Sequence, residues 1–268
     1  MKTDKNIAIL GAGNLGIAIA KGLVGAGLCI AEEITLTRRN PERLASLKQS
    51  GFKVTTNNVQ AVEQSTYVFL CVQPKQLMGL LKEIEPALIV DRHVIISTIT
   101  GVSLEVISEQ LNNYFAILRV MPNTAIAIGE SMTCICGNTE ATPHLQPVEE
   151  MFKALGDTLI IEERLMKAAT VLAASGIAFF LRYIRAATQA GIQLGFDAEE
   201  AQKIAVQTSR GAATLLLEGA HPEKEIDKVT TPQGCTIAGL NEMEHQGLSS
   251  ALIKGIITSF EEINKISE

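Results

Sequence analysis

The sequence has no basic cluster and no long uncharged run, and each absence excludes a class of partner. Its 29 Asp and Glu residues outnumber its 23 Lys and Arg residues, for a formal net charge of -6. Nucleic acid and anionic membrane surfaces are therefore unexpected partners. The longest run without a charged residue, Asn6 to Ala20, has 15 residues, too few for a helix that spans a bilayer. Residues 1–5 are polar and unlike a signal peptide, so we expect a cytoplasmic protein.

Cysteine and histidine are also sparse. The five cysteines are odd in number and scattered, which argues against a disulfide framework. Cys134 and Cys136 form a single Cys-x-Cys pair, whereas a tetrahedral zinc site needs four ligands. The four histidines are isolated from one another along the chain. We therefore expect no metal site.

Over residues 6–122 the sequence alternates short β-rich runs with helical patterns. The predicted strands are Ile7–Leu10, Glu33–Leu36, Lys53–Thr55, Tyr67–Val72, Val94–Ser97 and Phe115–Val120. The predicted helices are Ile17–Ala26, Pro41–Ser50, Val59–Gln64, Lys75–Ile84 and Leu104–Leu111. This alternation predicts βαβ units in a doubly wound, mostly parallel sheet. Two further strands, Met132–Cys136 and Leu159–Ile161, flank a helix from Pro143 to Leu155 that Gly156 would end.

The first strand leads into Gly11, Gly13 and Gly16, and a helical stretch follows at once. In a dinucleotide-binding unit the first glycine allows the tight turn and the second lets the backbone approach the pyrophosphate. The third lets the helix pack close to the strand. Free N–H groups at the helix start would face the phosphates. The segment Gly11-Ala12-Gly13-Asn14-Leu15-Gly16 is therefore the predicted pyrophosphate site.

The residues after the second strand bear on the choice of cofactor. An acidic residue there favours NAD and a basic residue favours NADP, and Thr37-Arg38-Arg39-Asn40 contains no acid. Two guanidinium forks and the Thr37 hydroxyl suit a 2′-phosphate, although a solvated charge pair would look the same in sequence. We therefore predict NADP rather than NAD. The exits of the later strands, Cys71-Val72-Gln73-Pro74 and Thr100-Gly101, should meet the nicotinamide half.

From about residue 163 the strand signal disappears. Helical patterns cover 163–194, 198–218 and 234–267, so we predict an all-α domain over residues 163–268 after an N-terminal domain of residues 1–162. Its first helix has 14 residues without a charge, Ala168–Leu181. A helix that is apolar on all sides must be buried on all sides. We expect an intertwined homodimer, with packing against the first domain alone as the alternative.

Three segments, Arg119–Thr124, Gln207–Ala213 and Val229–Leu240, resemble those of pyrroline-5-carboxylate reductases. Arg119-Val-Met-Pro-Asn-Thr124 is similar to the family's Arg-x-Met-Pro-Asn-Thr stretch. Gln207-Thr-Ser-Arg-Gly-Ala-Ala213 is similar to its Gln-Thr-x-x-Gly-Ala stretch, and Val229 to Leu240 to its substrate loop. The resemblance runs in order from the glycine turn to about Leu240.

The resemblance implies an N-terminal Rossmann dinucleotide-binding domain joined to an all-α C-terminal dimerisation domain. It also implies NADPH-dependent reduction of a cyclic imine, 1-pyrroline-5-carboxylate, to L-proline by a homodimer, and rings of dimers occur in the family. The cofactor carries such chemistry, which fits a chain without an obvious His/Asp or Lys/Tyr catalytic set. Two alternatives remain: a reductase of another cyclic imine or carbonyl, and a non-catalytic cofactor-binding paralogue.

The predicted substrate loop also has a physical logic of its own. Pro232 and Gly234 fit a tight turn before a helix, and the N–H groups of Gly234, Cys235 and Thr236 would point at a substrate carboxylate. The Thr231 hydroxyl would add a hydrogen bond, and the resemblance assigns Thr236 to the ring nitrogen. The candidate catalytic residues are Thr231, Gly234, Cys235 and Thr236. The candidate cofactor-binding residues are Gly11, Ala12, Gly13, Asn14, Leu15, Gly16, Thr37, Arg38, Arg39, Asn58, Cys71, Val72, Gln73, Pro74, Thr100 and Gly101.

Several positions depart from the family pattern, among them Phe179, which replaces a tyrosine. Gln73 replaces a lysine, Ala125 a proline and Gln233 a glycine. Ile177 replaces a proline in the first long helix, where we expect it to straighten a helix that proline would kink. These changes bear on substrate and turnover more than on the fold.

Overall fold

A computed structural model describes residues 6–266, and its strands form a single sheet. The strands are β1 Ile7–Leu10, β2 Ile34–Thr37, β3 Lys53–Thr55, β4 Tyr67–Leu70, β5 Val94–Ser97, β6 Ala116–Met121, β7 Ser131–Gly137 and β8 Gly156–Ile160. Their order is β3-β2-β1-β4-β5-β6-β7-β8. Every pair of neighbours is parallel except β6 and β7. The prediction of a doubly wound, mostly parallel sheet is confirmed. The predictions that concern residues 1–5 and 267–268 lie outside the described residues.

Helices cover both faces of this sheet. They are α1 Asn14–Gly25, α2 Ala45–Gln49, α3 Asn58–Glu63, α4 Pro74–Ile84, α5 Leu104–Gln110 and α6 Thr142–Lys153. Successive strand residues point to opposite faces. Accordingly, Ile7 and Ile9 pack in one core with α1, α2 and α6, whereas Ala8 and Leu10 pack in the other with α3, α4 and α5.

Some predicted boundaries are wrong in ways that matter for the site. α1 begins at Asn14 rather than Ile17, so the glycine turn passes directly into the helix. β4 ends at Leu70 rather than Val72, which places Cys71 in the exit loop. Gly156 does not end α6, which stops at Lys153, but begins β8. Its φ is +140° and an added Cβ would lie 2.1 Å from the Ser131 carbonyl oxygen, so the β7–β8 pairing requires glycine there.

The rest of the chain is helical. Its elements are α7 Met166–Ala169, a π-helical segment Thr170–Ser175, α8 Gly176–Gln193, α9 Ala198–Leu217, α10 Pro222–Val229, α11 Cys235–His245 and α12 Leu248–Ile266. The chain divides into two units, one of residues 6–175 with 260–266 and the other Gly176–Ser259. In the second unit α8 packs against α9, and an added Cβ on Gly191 would lie 2.9 Å from the Ala201 Cβ. The domain boundary near residue 162 marks the end of the strands and stays a prediction.

The end of α12 belongs to the first unit. The Lys167 Nζ donates to the Asn264 Oδ1 at 3.2 Å, and Ile263 is buried. The sheet unit is therefore discontinuous in sequence, with the second unit inserted into it.

The effect of Ile177 on the straightness of the first long helix stays a prediction. The π-helical segment Thr170–Ser175 lies directly before α8, although no proline is present. The Asn123 Nδ2 donates to the Ala173 carbonyl oxygen at 3.2 Å. The Asn123 side chain thus gives the Ala173 carbonyl oxygen of the π-helical segment a hydrogen-bond partner. A side chain that bonds to a helix carbonyl in this way stabilises a local departure from α-helical geometry.

The run Glu163–Gln193 is long and apolar enough to cross a membrane by length and composition alone. No single uncharged stretch covers this run, because Lys167, Arg182 and Arg185 divide it. The count of consecutive uncharged residues therefore did not predict it. This is weak evidence for a membrane span, since an internal helix of a globular protein passes the same test.

Candidate active site

A cavity of about 740 Å³ opens beside the glycine turn at the carboxyl ends of β1, β2 and β4. Ligands of open parallel sheets bind at this edge, where the strand order reverses on either side of β1. Most of the predicted cofactor-binding residues line it: Gly11, Ala12, Gly13, Thr37, Arg38, Arg39, Asn58, Cys71, Val72 and Gln73.

The remaining predicted residues lie outside the lining of this cavity. Asn14, Leu15 and Gly16 form the first turn of α1, and Pro74 begins α4. Thr100 and Gly101 lie in the turn between β5 and α5, where Gly101 has a φ of +81°. The structure therefore gathers the glycine turn and the exits of β2 and β4, but it does not bring the β5 exit into the same cavity.

The three glycines of the turn differ in what surrounds them. Gly11 has a φ of +88°, and an added Cβ would lie 2.6 Å from the Val72 Cγ1. An added Cβ on Gly16 would lie 2.9 Å from the Ile9 Cγ2, so helix and strand are in close contact there. Above Gly13 the nearest atom to an added Cβ is 3.9 Å away, which leaves the backbone open to a ligand. Among the described residues no side chain caps α1 at Gly13, and its first turn holds no acidic residue. A pyrophosphate fits this helix start.

The charge of the cavity is opposite to that of the chain. Among residues 6–266, four cations, Arg38, Arg39, Arg43 and Lys75, line it with a single acid, Glu83. The Arg38 Nη1 donates to the Ala12 carbonyl oxygen at 3.0 Å, which ties the end of β2 to the glycine turn. Arg39 and Arg43 are exposed and form no ion pair with any residue that the structure describes. Two guanidinium groups are thus free to bind a phosphate.

The Thr37 hydroxyl is not available to a phosphate in the way we expected. Thr37 is 2% exposed, and its Oγ1 donates to the Asn58 Oδ1 at 2.6 Å. The Gly11 N–H donates to the same hydroxyl oxygen at 3.3 Å. The hydroxyl proton is therefore committed to Asn58, and Thr37 positions the glycine turn instead.

The sequence analysis missed several lining residues. They are Asn40, Arg43, Thr56, Lys75, Gln76, Gly79, Leu80 and Glu83. Lys75, Gly79 and Glu83 follow one another at a spacing of four in α4, which places them on one face of that helix. Lys75 also supplies a cation two residues after Gln73, the position where the family has a lysine. The spacing within α4 was the signal that could have found these residues.

Cys71 lines the cavity as a neutral thiol. The Thr98 Oγ1 donates to its Sγ at 3.5 Å. Burial raises the pKa of the Cys71 thiol to about 11, although the bond from Thr98 opposes that shift. The thiol stays protonated near neutral pH, so Cys71 offers the cavity an uncharged surface.

In the second unit, the predicted substrate loop forms a tight turn before α11. The Gly234 N–H donates to the Thr231 carbonyl oxygen at 2.9 Å, so the expectation that it points at an anion is wrong. An added Cβ on Gly234 would lie 2.5 Å from the Thr231 Oγ1, which explains the glycine. Gln233 has a φ of +60°, a backbone conformation that favours glycine. No described side chain caps α11 at Gly234, which leaves the N–H groups of Cys235 and Thr236 for an anion.

Thr231, Cys235 and Thr236 are exposed, and Gly234 is half-buried. Within the described residues, no group of three or more His, Cys, Asp and Glu side chains is placed to hold a metal ion. The chemistry available to this loop is therefore anion binding by backbone N–H groups and hydrogen bonding by two hydroxyls.

Sequence comparisons match both parts of the chain to known families. Residues 163–266 match the family described as pyrroline-5-carboxylate reductase dimerisation, and residues 6–101 match the family described as NADP oxidoreductase, coenzyme F420-dependent. Pyrroline-5-carboxylate reductase 2 of Dictyostelium discoideum is 44% identical over 99% of this chain and 94% of its own length. Pyrroline-5-carboxylate reductase 1 of that organism is 49% identical over 96% of this chain, and the chain spans 49% of that relative's length. The reductase of Methanosarcina acetivorans is 32% identical over 99% of both chains.

Solved structures share the fold over nearly the whole chain. The pyrroline-5-carboxylate reductase of Coxiella burnetii has a TM-score of 0.89 at 26% identity, covering 99% of this chain and 100% of that one. The pyrroline carboxylate reductase of Plasmodium falciparum, solved with NADP bound, has a TM-score of 0.90 at 21% identity, covering 98% of both chains.

Proposed function

This chain belongs to the pyrroline-5-carboxylate reductase family, and we propose that it reduces 1-pyrroline-5-carboxylate to L-proline with NADPH. The observation that carries the proposal is the cavity beside the glycine turn, where four cationic side chains and one acid surround an open helix start. A ligand that carries several phosphate charges suits that arrangement.

NADPH would be held mainly by the backbone of the glycine turn and by arginines. The first turn of α1, Asn14 to Gly16, binds the pyrophosphate through N–H groups. Arg39 and Arg43 bind the 2′-phosphate, and Arg38 binds it while it also holds the Ala12 carbonyl oxygen. Cys71, Val72, Gln73, Thr100 and Gly101 serve the nicotinamide half, at the carboxyl ends of β4 and β5.

The substrate loop binds and orients the imine. The N–H groups of Cys235 and Thr236 bind the carboxylate at the start of α11, and the Thr231 hydroxyl adds a hydrogen bond. The Thr236 hydroxyl holds the ring nitrogen, which fixes the position of the adjacent carbon. NADPH, when bound, supplies the hydride that reduces the C=N bond. The ring nitrogen carries its proton as an iminium, so hydride transfer to the adjacent carbon gives the secondary amine directly, and orientation is the main task left to these residues.

We also propose that residues 163–268 build a homodimer. The second unit exposes many large apolar side chains: Phe180, Leu181, Tyr183, Ile192, Leu194, Phe196, Ile204, Val206, Leu215, Leu216, Leu217, Val229, Met243, Leu252, Ile253 and Ile257. Phe180, Leu194 and Leu217 are 72%, 81% and 84% exposed. A surface of this kind is a protein interaction site, and residues 163–266 match the family described as pyrroline-5-carboxylate reductase dimerisation.

The assembly works in the cytoplasm, and its dimers associate into a ring as the family resemblance implies. Light scattering at micromolar concentration measures both steps: a monomer would contradict the dimer, and a dimer alone would contradict the ring.

The reaction is tested by incubating the purified chain with NADPH and 1-pyrroline-5-carboxylate. Oxidation of NADPH together with formation of L-proline, identified by chromatography, is the expected result. A six-membered cyclic imino acid in the same assay tests the ring size. Binding of NADPH without proline formation would overturn the activity and would favour a non-catalytic paralogue.

A further inference from the structure

A chain of hydrogen bonds crosses the cofactor cavity from the glycine turn to α4. The Gly11 N–H donates to the Thr37 Oγ1 at 3.3 Å, and the Thr37 hydroxyl donates to the Asn58 Oδ1 at 2.6 Å. The Asn58 Nδ2 in turn lies 3.1 Å from each carboxylate oxygen of Glu83. The chain of hydrogen bonds therefore begins at the turn that would face the pyrophosphate and ends at Glu83, the one acid among the described residues of the cavity lining.

Elementary chemistry fixes the direction of this chain. An ionised carboxylate only accepts hydrogen bonds, and an amide nitrogen only donates them. Glu83 therefore turns the Asn58 nitrogen toward itself and the Asn58 oxygen toward Thr37. Thr37 must then donate its single proton to Asn58, and its lone pairs remain for the Gly11 N–H. In the opposite orientation the Asn58 oxygen would face a carboxylate, and two donors would converge on the Thr37 oxygen.

We propose that Glu83 is a positioning residue of the cofactor site, which orients Asn58 and Thr37 and through them the glycine turn. The inference rests on the proposed function, because it assigns a role in the binding of the same dinucleotide. Glu83 acts through the part of the site that NADPH and NADH share. It therefore sets the affinity for both cofactors, whereas Arg39 and Arg43 discriminate between them.

The test measures the dissociation constants of NADPH and NADH by calorimetry for wild type and for Glu83→Gln. The glutamine keeps the shape of the side chain, but it no longer dictates which way the Asn58 amide turns. We expect both dissociation constants to rise about fivefold, roughly the loss of one modest hydrogen bond. If Glu83 acted only as a charge, its removal would tighten the binding of both cofactors, since both carry a pyrophosphate, and that of NADPH more; tighter binding would overturn the proposal.

Exchanging the amide of Asn58 and the carboxylate of Glu83 should restore cofactor affinity. Asn58→Asp alone places two carboxylates against each other and should weaken the binding of both cofactors. In Asn58→Asp/Glu83→Gln, the new carboxylate at position 58 accepts from Thr37 and from the new amide at position 83. The direction of the chain and the charge of the cavity are then restored. We expect the double variant to recover most of the wild-type affinity, and a double variant weaker than both single variants would overturn the proposal.

Glu85→Gln is the matched control. Glu85 accepts from the Asn112 Nδ2 at 2.9 Å, so it makes the same kind of contact two residues away but outside the cavity lining. The dissociation constants should not change in this variant. If wild type binds neither dinucleotide, the proposed function fails. If wild type binds both and Glu83→Gln binds them equally well, the positioning role alone fails.

Discussion

Arg119 of β6 and Glu163 form a mostly buried ion pair, with the Nη1 of Arg119 3.1 Å from the Oε1 of Glu163. The same Glu163 oxygen accepts the Leu104 N–H at 2.6 Å, so one carboxylate joins the central sheet, the start of α5 and the beginning of the helical segment. Arg119 is 4% exposed, and its Nε has no hydrogen-bond partner among the described residues. Glu163 therefore provides the counter-charge on which this buried guanidinium depends.

Glu163→Ala should lower the free energy of unfolding by about 3 kcal/mol, because it leaves a buried charge uncompensated. Urea unfolding at fixed protein concentration measures the change. Glu163→Gln retains an acceptor for the Leu104 N–H and the Arg119 guanidinium, so it should lose less stability than Glu163→Ala. Glu162→Ala is the control, since Glu162 and its partner Arg164 are both exposed, and it should change stability by less than about 1 kcal/mol. Equal losses for Glu162→Ala and Glu163→Ala would contradict the importance of the buried pair.

The arginines of the cavity should differ in what they recognise. Arg39→Ala and Arg43→Ala should each raise the dissociation constant of NADPH about tenfold and leave that of NADH nearly unchanged, because only NADPH carries the 2′-phosphate. Arg38→Ala should weaken the binding of both NADPH and NADH, because Arg38 also donates a hydrogen bond to the Ala12 carbonyl oxygen. Lys48→Ala, on α2 outside the cavity lining, is the control. A wild-type preference for NADH would refute the assignment.

Thr236→Val should lower turnover far more than stability. No hydrogen bond from the Thr236 hydroxyl occurs within residues 6–266, and no side chain there caps α11. Valine keeps the shape and removes the hydroxyl, so the melting temperature should stay constant. The misplaced imine should react roughly 100-fold more slowly.

Thr230→Val separates the catalytic role of Thr236 from a structural one. The Thr230 hydroxyl donates to the Asp227 carbonyl oxygen at 3.2 Å. Its loss should cost about 1 kcal/mol of stability and little turnover per folded molecule. Unchanged turnover in Thr236→Val would remove Thr236 from the active site.

Gln233→Gly should stabilise the substrate loop. A non-glycine residue in the left-handed region costs roughly 1 kcal/mol, and glycine offsets part of that gain through its larger entropy in the unfolded chain. We expect a net gain of about a few tenths of a kcal/mol by thermal unfolding. Gln60→Gly, inside α3, should instead destabilise the protein. If both variants lose the same stability, Gln233 is not strained.

Stability should decline in alkali because of Cys136. Burial raises the pKa of its thiol from an ordinary 9.0 to about 11, more than the Arg119 charge lowers it. The folded state therefore keeps its proton after the unfolded state has lost it. This contribution is complete below pH 9 and disappears as the pH rises toward 11. Cys136→Ala should show a shallower decline of unfolding free energy across that range, and parallel curves for variant and wild type would contradict the shift.

The sheet could be predicted from sequence because each strand is a short apolar run next to a helical period. β1, β3 and β5 match their predicted bounds. The glycine turn and the arginines after β2 were also visible, since their chemistry lies within a few consecutive residues. Glu83 and Thr37 were harder to interpret. Their roles depend on which face of α4 meets the cavity and on how far a buried hydroxyl lies from an amide, and neither follows from local sequence.

The substrate loop shows the same limit. Its turn was predicted from Pro232 and Gly234, but the use of the Gly234 N–H within that turn was not, because backbone hydrogen bonding depends on the actual dihedral angles. The π-helical segment before α8 also escaped prediction. Its partner Asn123 lies 50 residues earlier in the chain, beyond the reach of any local pattern.

The return of α12 to the sheet unit has a consequence for how the protein is made. On the ribosome, the sheet and its flanking helices emerge first, but the contacts of Ile263 and Asn264 come from α12. The inserted helical unit, Gly176–Ser259, is continuous in sequence, so all of its residues emerge before the end of α12 does. The sheet unit therefore completes its packing only after α12 has emerged, and a nascent chain stalled before α12 would hold a finished cofactor cavity on an unfinished unit.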